Sequence, residues 1–389
     1  MDRTTQENNK ATAQMFDQES DTAKKKEVYF DIANSVKGGS GKSTFSLLLA
    51  AACNRKEHAD AYILDLDLRG TSWEKNYDSY LSTGAIIDQD GNRPTLRSLS
   101  NGARPEDIQD YEKYPFINSL MWNTNRLRVE DCWSEIFFDD EDVKVEGSSN
   151  SRIRVFPAKA KNGKDIDKLE VDIFEHAIEQ IILTIMEQTA GDNNVNELHF
   201  ILDMPPSYEK HAERIIKHLL TSQDSDFYRL CEKREGVFKV FNDYNVNLFM
   251  VCSLSPAHVI QNSLYVKSLL DHPNYSNALQ KLVYDKRFSI NFILNDISNL
   301  IGDARQGYED LYSESKLLEL FKANEAFFMS SLQMLQEFSG DDINEPIKLR
   351  VIRHLKLYGT TWYFENDPKR PFRFDSQTLL TLNDIESLL

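Results

Sequence analysis

Short apolar runs alternate with longer amphipathic stretches along the chain, and glycines or acids fall where the runs end. Residues 27–36 (EVYFDIANSV) are rich in β-formers and close on a glycine cluster, which predicts a strand. Residues 42–52 (KSTFSLLLAAA) are helix formers, and 61–64 (AYIL) is an apolar run entering an acidic cluster, as a buried parallel strand would. Strand, glycine loop, helix and strand make a βαβ unit. Further strands are predicted at 153–156, stopped by Pro157, and at 198–202, 246–252 and 290–295. Between them, Leu169, Ile173, Phe174, Ala177, Ile178, Ile181, Ile182, Ile185 and Met186 recur at helical spacing and predict a helix over 167–190. A second helix begins near Pro256, a residue favoured in a first turn, and a third covers 308–338. Residues 349–352 and 361–364 add candidate late strands. The alternation predicts an α/β fold: a doubly wound, mostly parallel sheet flanked by helices, with no internal repeat.

Residues 71–150 break the rhythm with turn-rich pieces and the acidic run Asp139-Asp140-Glu141-Asp142, and read as an inserted region of helices and loops at one edge of the core. The predicted organisation is therefore a flexible tail at 1–26, a main α/β domain at 27–305 carrying that insertion, and a C-terminal helical extension with possible edge strands at 306–389.

Composition narrows the function classes. A hydrophobic share of 41% with 28% charged residues suits a soluble globular protein. The 45 basic and 62 acidic residues leave a net charge of −17, which disfavours broad nonspecific DNA binding, although a local basic patch fits within an acidic whole. Cys53, Cys132, Cys231 and Cys252 lie far apart with no C-x-x-C spacing, so the sequence signals neither a zinc site nor an iron–sulfur cluster. No apolar run reaches the ~18–20 residues of a membrane span, and the first 26 residues lack the apolar stretch of a signal peptide. The expected location is the cytoplasm.

The candidate chemistry starts at Lys37-Gly38-Gly39-Ser40-Gly41-Lys42-Ser43. A nucleoside triphosphate needs several backbone N–H groups converging on its β-phosphate, a cation on the β/γ oxygens and a hydroxyl on Mg²⁺. Gly38, Gly39 and Gly41 allow the wrap, Lys42 supplies the charge, Ser43 the hydroxyl, and the following helix its N-terminal dipole. Ser40 and Thr44 complete the candidate nucleotide-binding set. Two acidic strand ends follow. In Leu64-Asp65-Leu66-Asp67-Leu68-Arg69-Gly70, alternation sets Asp65 and Asp67 on one side of an extended chain, where both could face Mg²⁺ and an attacking water. In Phe200-Ile201-Leu202-Asp203-Met204-Pro205-Pro206, a carboxylate ends a buried strand and could hold Mg²⁺.

These segments resemble the motifs of the ParA/MinD family of ATPases. The loop has Val36 where the general phosphate-loop pattern has glycine, which resembles the family's deviant Walker A form. The two acidic segments resemble its Walker A′ (D-x-D-x-x-G) and Walker B (D-x-P-P) forms. The resemblance spans roughly residues 27–300. It implies ATP and Mg²⁺ as cofactors and a homodimer closed by ATP, in which Lys37 reaches the partner's nucleotide. It also implies Asp67 as the residue orienting the hydrolytic water, Asp65 supporting the metal shell, and Asn295 at a strand end contacting adenine. The implied function is slow ATP hydrolysis stimulated by a partner protein, in DNA partition or cargo positioning. DNA binding is weakened by the charge, and no membrane insertion is expected: the closing residues 379–389 carry two acids and no lysine or arginine, unlike the basic amphipathic helix of membrane-positioning members. An ATP-binding scaffold with little turnover is the alternative, motivated by the insertion and the unmatched C-terminal region. A small-molecule kinase on the same cradle is a third reading.

Overall fold

The structure is a computed structural model. It describes residues 26–68, 73, 77–78, 80–83, 93–96, 116–122, 128–137, 152–159, 171–206, 240–241, 244–253, 256–270, 282, 285–295, 347–351, 382–383 and 385–389. Nine strands are described: β1 (Glu27–Asn34), β2 (Ala59–Asp65), β3 (Ser82–Thr83), β4 (Ser134–Phe137), β5 (Arg152–Phe156), β6 (Glu197–Asp203), β7 (Tyr244–Ser253), β8 (Phe288–Asn295) and β9 (Ile347–Val351). They form one sheet in the order β3-β4-β5-β2-β6-β1-β7-β8-β9. From β5 to β9 every pairing is parallel; β3 and β4 add an antiparallel edge.

Alternation along the strands separates two cores. Phe30 and Ile32 of β1 and Phe200 and Leu202 of β6 face one side, where helix α3 (Val171–Ala190) lays down Ala177, Ile178, Ile181 and Ile185. Helix α2 (Ile117–Trp122) and helix α4 (Pro256–Leu270) pack on that side too. Ala33, Ile201 and Phe249 face the other side, against helix α1 (Lys42–Arg55). Phe45, Leu47, Leu48, Leu49 and Ala50 of α1 are fully buried, so this helix is apolar around its girth, as a helix enclosed on all sides must be. Its outer cover comes from the end of the chain: Leu382 and Ile385 are fully buried against it, and Arg55 reaches Asn383 and Glu386 at 2.9 Å each.

The strands expected around Ile153, Leu198, Val246, Ile290 and Leu349 are β5 to β9, and the helix beginning at Pro256 is α4. Two expectations shift. The first strand ends at Asn34, because Ser35 and Val36 already turn into the loop. The 71–150 region was read as helices and loops, yet it carries β3 and β4; at two and four residues, these are too short for any alternation to register. Of the tail expected at 1–26, Lys26 is buried and donates its N–H to Val240 O at 3.2 Å, while residues 1–25, the helix at 308–338 and the strand at 361–364 fall outside the described residues.

Candidate functional site

β1 and β6 are adjacent, and the chain leaves them in opposite directions, toward β2 from one and toward β7 from the other. In an open parallel sheet the crevice at the carboxyl ends of such a pair is the place for a ligand. The loop from Ser35 to Gly41 crosses that crevice and runs into α1. Gly39 (φ 73°) and Gly41 (φ 97°) both lie in the left-handed region, which explains why glycine stands at these two positions. Gly41 is the N-cap of α1 and makes no side-chain cap, so the first-turn N–H groups of a fourteen-residue helix face the loop without a side-chain acceptor there. A Cβ placed on Gly39 would meet nothing within 4 Å, and on Gly38 only Pro206 Cγ at 3.9 Å. The constraint at Gly39 is therefore the backbone angle, and the space beside it is open.

Helix α4 fastens the mouth of the loop. Asn262 Oδ1 accepts the Val36 N–H at 2.9 Å, and Ser35 Oγ lies 2.9 Å from His258 Nε2. Burial, together with the positive charges of Lys37 and Lys42, pushes the His258 imidazole down to about 4, so it is neutral near pH 7. Lys37 itself is exposed.

Lys42 is buried, and burial lowers its pKa against the pull of Asp203, Asp67 and Asp65. The sheet explains this gathering: Asp65 and Asp203 are register partners on neighbouring strands, and Ala33, which ends the apolar run of β1, pairs with Asp203 on its other side. Asp203 is 1% exposed; Trp73 Nε1 donates to its Oδ2 at 2.8 Å, while its Oδ1 has no hydrogen-bond partner among the described residues. Burial raises the Asp203 carboxyl, and Lys42 and the nearby Ser43 hydroxyl pull it back. Asp65 is also raised, by burial and then by the Asp203 charge. Its two oxygens accept backbone N–H groups, Oδ1 from Asp67 and Oδ2 from Ala158, both at 3.1 Å. Asp65 and Asp67 are the pair expected to face the metal; in the structure the Asp65 carboxylate also braces the backbone at the bend that presents half-buried Asp67.

Ser40 is buried, while Gly41, Ser43 and Thr44 are partly exposed at the loop's end and the first turn of α1. Asn295 ends β8 opposite Ser253 of β7; its side chain lies outside the described residues, as does Gly70 of the second motif. The structure therefore brings Lys42, Ser43, Asp65, Asp67 and Asp203 to one crevice. It adds Trp73, His258 and Asn262, which sequence reasoning did not single out. Each is an isolated residue far along the chain from its partner, and no local pattern marks it.

No protein-family model and no curated protein matches the chain. Solved structures do resemble it. The likenesses are to ParA and MinD ATPases. A plasmid partition protein of Borrelia burgdorferi bound to AMPPNP is 11% identical, covering 94% of this chain and 98% of its own, at a TM-score of 0.39. A ParA family ATPase from Chlorobium tepidum is 14% identical, covering 79% and 99%, at 0.32. The septum site-determining protein MinD of Pyrococcus horikoshii, complexed with Mg-ADP, is 12% identical, covering 73% and 75%, at 0.32. At these TM-scores the weight of the functional reading falls on the crevice itself.

Proposed function

We propose that the chain is a Mg²⁺-dependent ATP hydrolase of the ParA/MinD type, whose nucleotide-driven dimerisation is read by a partner protein. The observation that carries this reading is the orphaned Oδ1 of Asp203, buried beside Lys42 and Ser43 at the uncapped start of α1. A buried carboxylate oxygen without a partner is costly, and a hydrated divalent cation would satisfy it. The donor set fits Mg²⁺, since carboxylate and hydroxyl oxygens surround the site. The chemistry an ion held there would supply is positive charge against the phosphates as they react. The first-turn amides and Lys42 would hold the β- and γ-phosphates, and Ser43 and Asp203 would hold the ion. Asp65 would keep the turn rigid, and Asp67 would orient the attacking water. Lys37, exposed at the loop's tip, is free to neutralise phosphate charge across a subunit interface. A role in DNA partition or cargo positioning follows from the same resemblance.

The test measures phosphate release and ATP-dependent dimerisation in the wild type, Lys37→Ala and Asp67→Ala. Asp67→Ala should bind ATP and lose hydrolysis; Lys37→Ala should bind ATP and remain monomeric. Equal turnover in the wild type and Asp67→Ala would remove the catalytic assignment. Tight binding with no turnover in the wild type, with candidate partners and DNA present, would favour the ATP-binding scaffold instead.

A further inference from the structure

Helix α1 has a second chemical end. Its residue Cys53 lies eleven positions beyond Lys42, ~16 Å along the axis at 1.5 Å per residue. There it meets Asp31 of β1 and His199 of β6. One donor atom from each of the three lies within 4.8 Å of the others, and none of the three residues is more than 1% exposed. Among the described residues no other group of this kind is found.

The surroundings are arranged as those of a metal ligand set are. His199 Nδ1 lies 2.7 Å from Asp31 Oδ2. Its other nitrogen, Nε2, is buried with no hydrogen-bond partner and points toward Glu197 Oε2 at 3.6 Å. A ligating histidine characteristically turns its second nitrogen to a carboxylate in this way. Glu197 is itself held by Lys56 at 2.5 Å. The second oxygen of Asp31 accepts from Asn247 Nδ2 at 2.8 Å, and Tyr29 stacks on the imidazole with 4.5 Å between centroids. Ring and carboxylate are thus oriented from behind, and their remaining atoms converge on the thiol.

We propose that Asp31, Cys53 and His199 form a structural site for a borderline-soft divalent cation, Zn²⁺ by donor type, which clamps the tail of α1 to β1 and β6. One sulfur, one nitrogen and one oxygen suit Zn²⁺ and not Mg²⁺, which demands a near-octahedral set of oxygens. Binding displaces two protons, one from the thiol and one shared between His199 and Asp31. A dication then faces a thiolate, a carboxylate and a neutral imidazole, so the buried cluster stays neutral. Ligands on a tetrahedral Zn²⁺ lie about 3.3–3.7 Å apart for bonds of ~2.0–2.3 Å, so the His199–Asp31 contact at 2.7 Å opens by about 0.6 Å to admit the ion beside the thiol, and a water takes the fourth position.

Cobalt is the probe. The full chain is expressed in zinc-depleted, cobalt-supplemented medium, and metal content and absorption are measured on the folded protein. The expected result is about one Co²⁺ per chain, with a thiolate-to-Co²⁺ charge-transfer band in the near ultraviolet and tetrahedral visible bands. Zn²⁺ should erase both, and Mg²⁺ with ATP should leave them. Cys53→Ser should lose the charge-transfer band, and His199→Gln should lower Co²⁺ retention at least tenfold. Co²⁺ at the phosphate loop would meet only oxygens, give weak octahedral bands and vanish with excess Mg²⁺, so failure of the nucleotide reading is separately visible. Folded wild type without the near-ultraviolet band overturns the proposal, as does a band that survives Cys53→Ser.

Discussion

At Lys42 helix α1 begins among more acids than it can neutralise; at Cys53 it ends in a cluster sealed from solvent, where one acid faces one imidazole. The start holds one buried cation against Asp65, Asp67 and Asp203, an oxygen of Asp203 has no partner, and the glycines beside it border open space. The tail holds His199 against Asp31, has no exposed surface, and is roofed by Leu382 and Ile385 from the last residues of the chain. A site that exchanges ligands must keep polar groups wanting partners, because those groups are what the ligand satisfies. An anchor instead shuts its polar groups away from solvent and turns them on one another. One helix does both by giving its uncapped, dipole-positive end to the ligand and its closely packed end to the core.

The largest effect expected of that contrast comes from Lys42→Ala. Two charge-assisted bonds to phosphate would be lost, a loss of about 100-fold or more in ATP affinity. Calorimetric titration measures it, and the nucleotide-free protein should itself lose stability, because Asp65 and Asp203 are left buried without their cation. Unchanged affinity would place the nucleotide elsewhere. At the other end Leu382→Ala should cost about 2–4 kcal/mol in urea unfolding, by opening a cavity against α1. ATP affinity should hold within about threefold; a parallel fall in both would mean that the two ends of α1 are coupled and the contrast is wrong.

The fold was legible because parallel strands buried on both faces write themselves as apolar runs, as in 198–202 and 246–252, and the loop because glycine is required where φ is positive. β3 and β4 were not legible, since two and four residues are too few for alternation to stand out from chance. Asp65 shows a subtler limit. Alternation assigns a side of the strand, and it cannot say that the N–H groups of Asp67, two residues on, and of distant Ala158 will bind the carboxylate. The Asp31–Cys53–His199 cluster was invisible for another reason: zinc spacing rules are local, and these donors come from three elements spread over 168 residues.

Trp73→Phe sharpens the contrast within the start of the helix. The indole N–H holds Oδ2 of Asp203 and leaves Oδ1 for a cation, with Tyr77 stacked behind it at 4.6 Å. Phenylalanine keeps most of the volume and drops the donor, leaving a buried acceptor unsatisfied at about 1–2 kcal/mol. The Mg²⁺ concentration needed for half-maximal ATP binding should shift about tenfold, while affinity for ATP in the absence of Mg²⁺ stays near the wild-type value. A shift in both alike would make Trp73 a packing residue only.

The smallest expected effect is a slope. His258 sits neutral behind the phosphate loop because burial and the charges of Lys37 and Lys42 oppose its protonation, with Ser35 Oγ at its Nε2. An unfolded chain protonates this histidine near pH 6.5, whereas the folded chain waits until about 4. Between those values the unfolded state holds more protons, so stability rises with pH across the window. The contribution is complete above about pH 6.5, falls away as pH drops toward 4, and is flat below. Solvent at the loop's open side screens part of it, leaving about 1 kcal/mol. His258→Gln offers Ser35 a polar partner that does not titrate. Urea unfolding of wild type and variant at half-unit steps from pH 4 to 7.5 should therefore give a shallower fall for the variant, with the difference confined to that window. Parallel curves would mean that His258 takes up its proton alike in the folded and unfolded chains, so that burial and the two lysines do not hold it neutral.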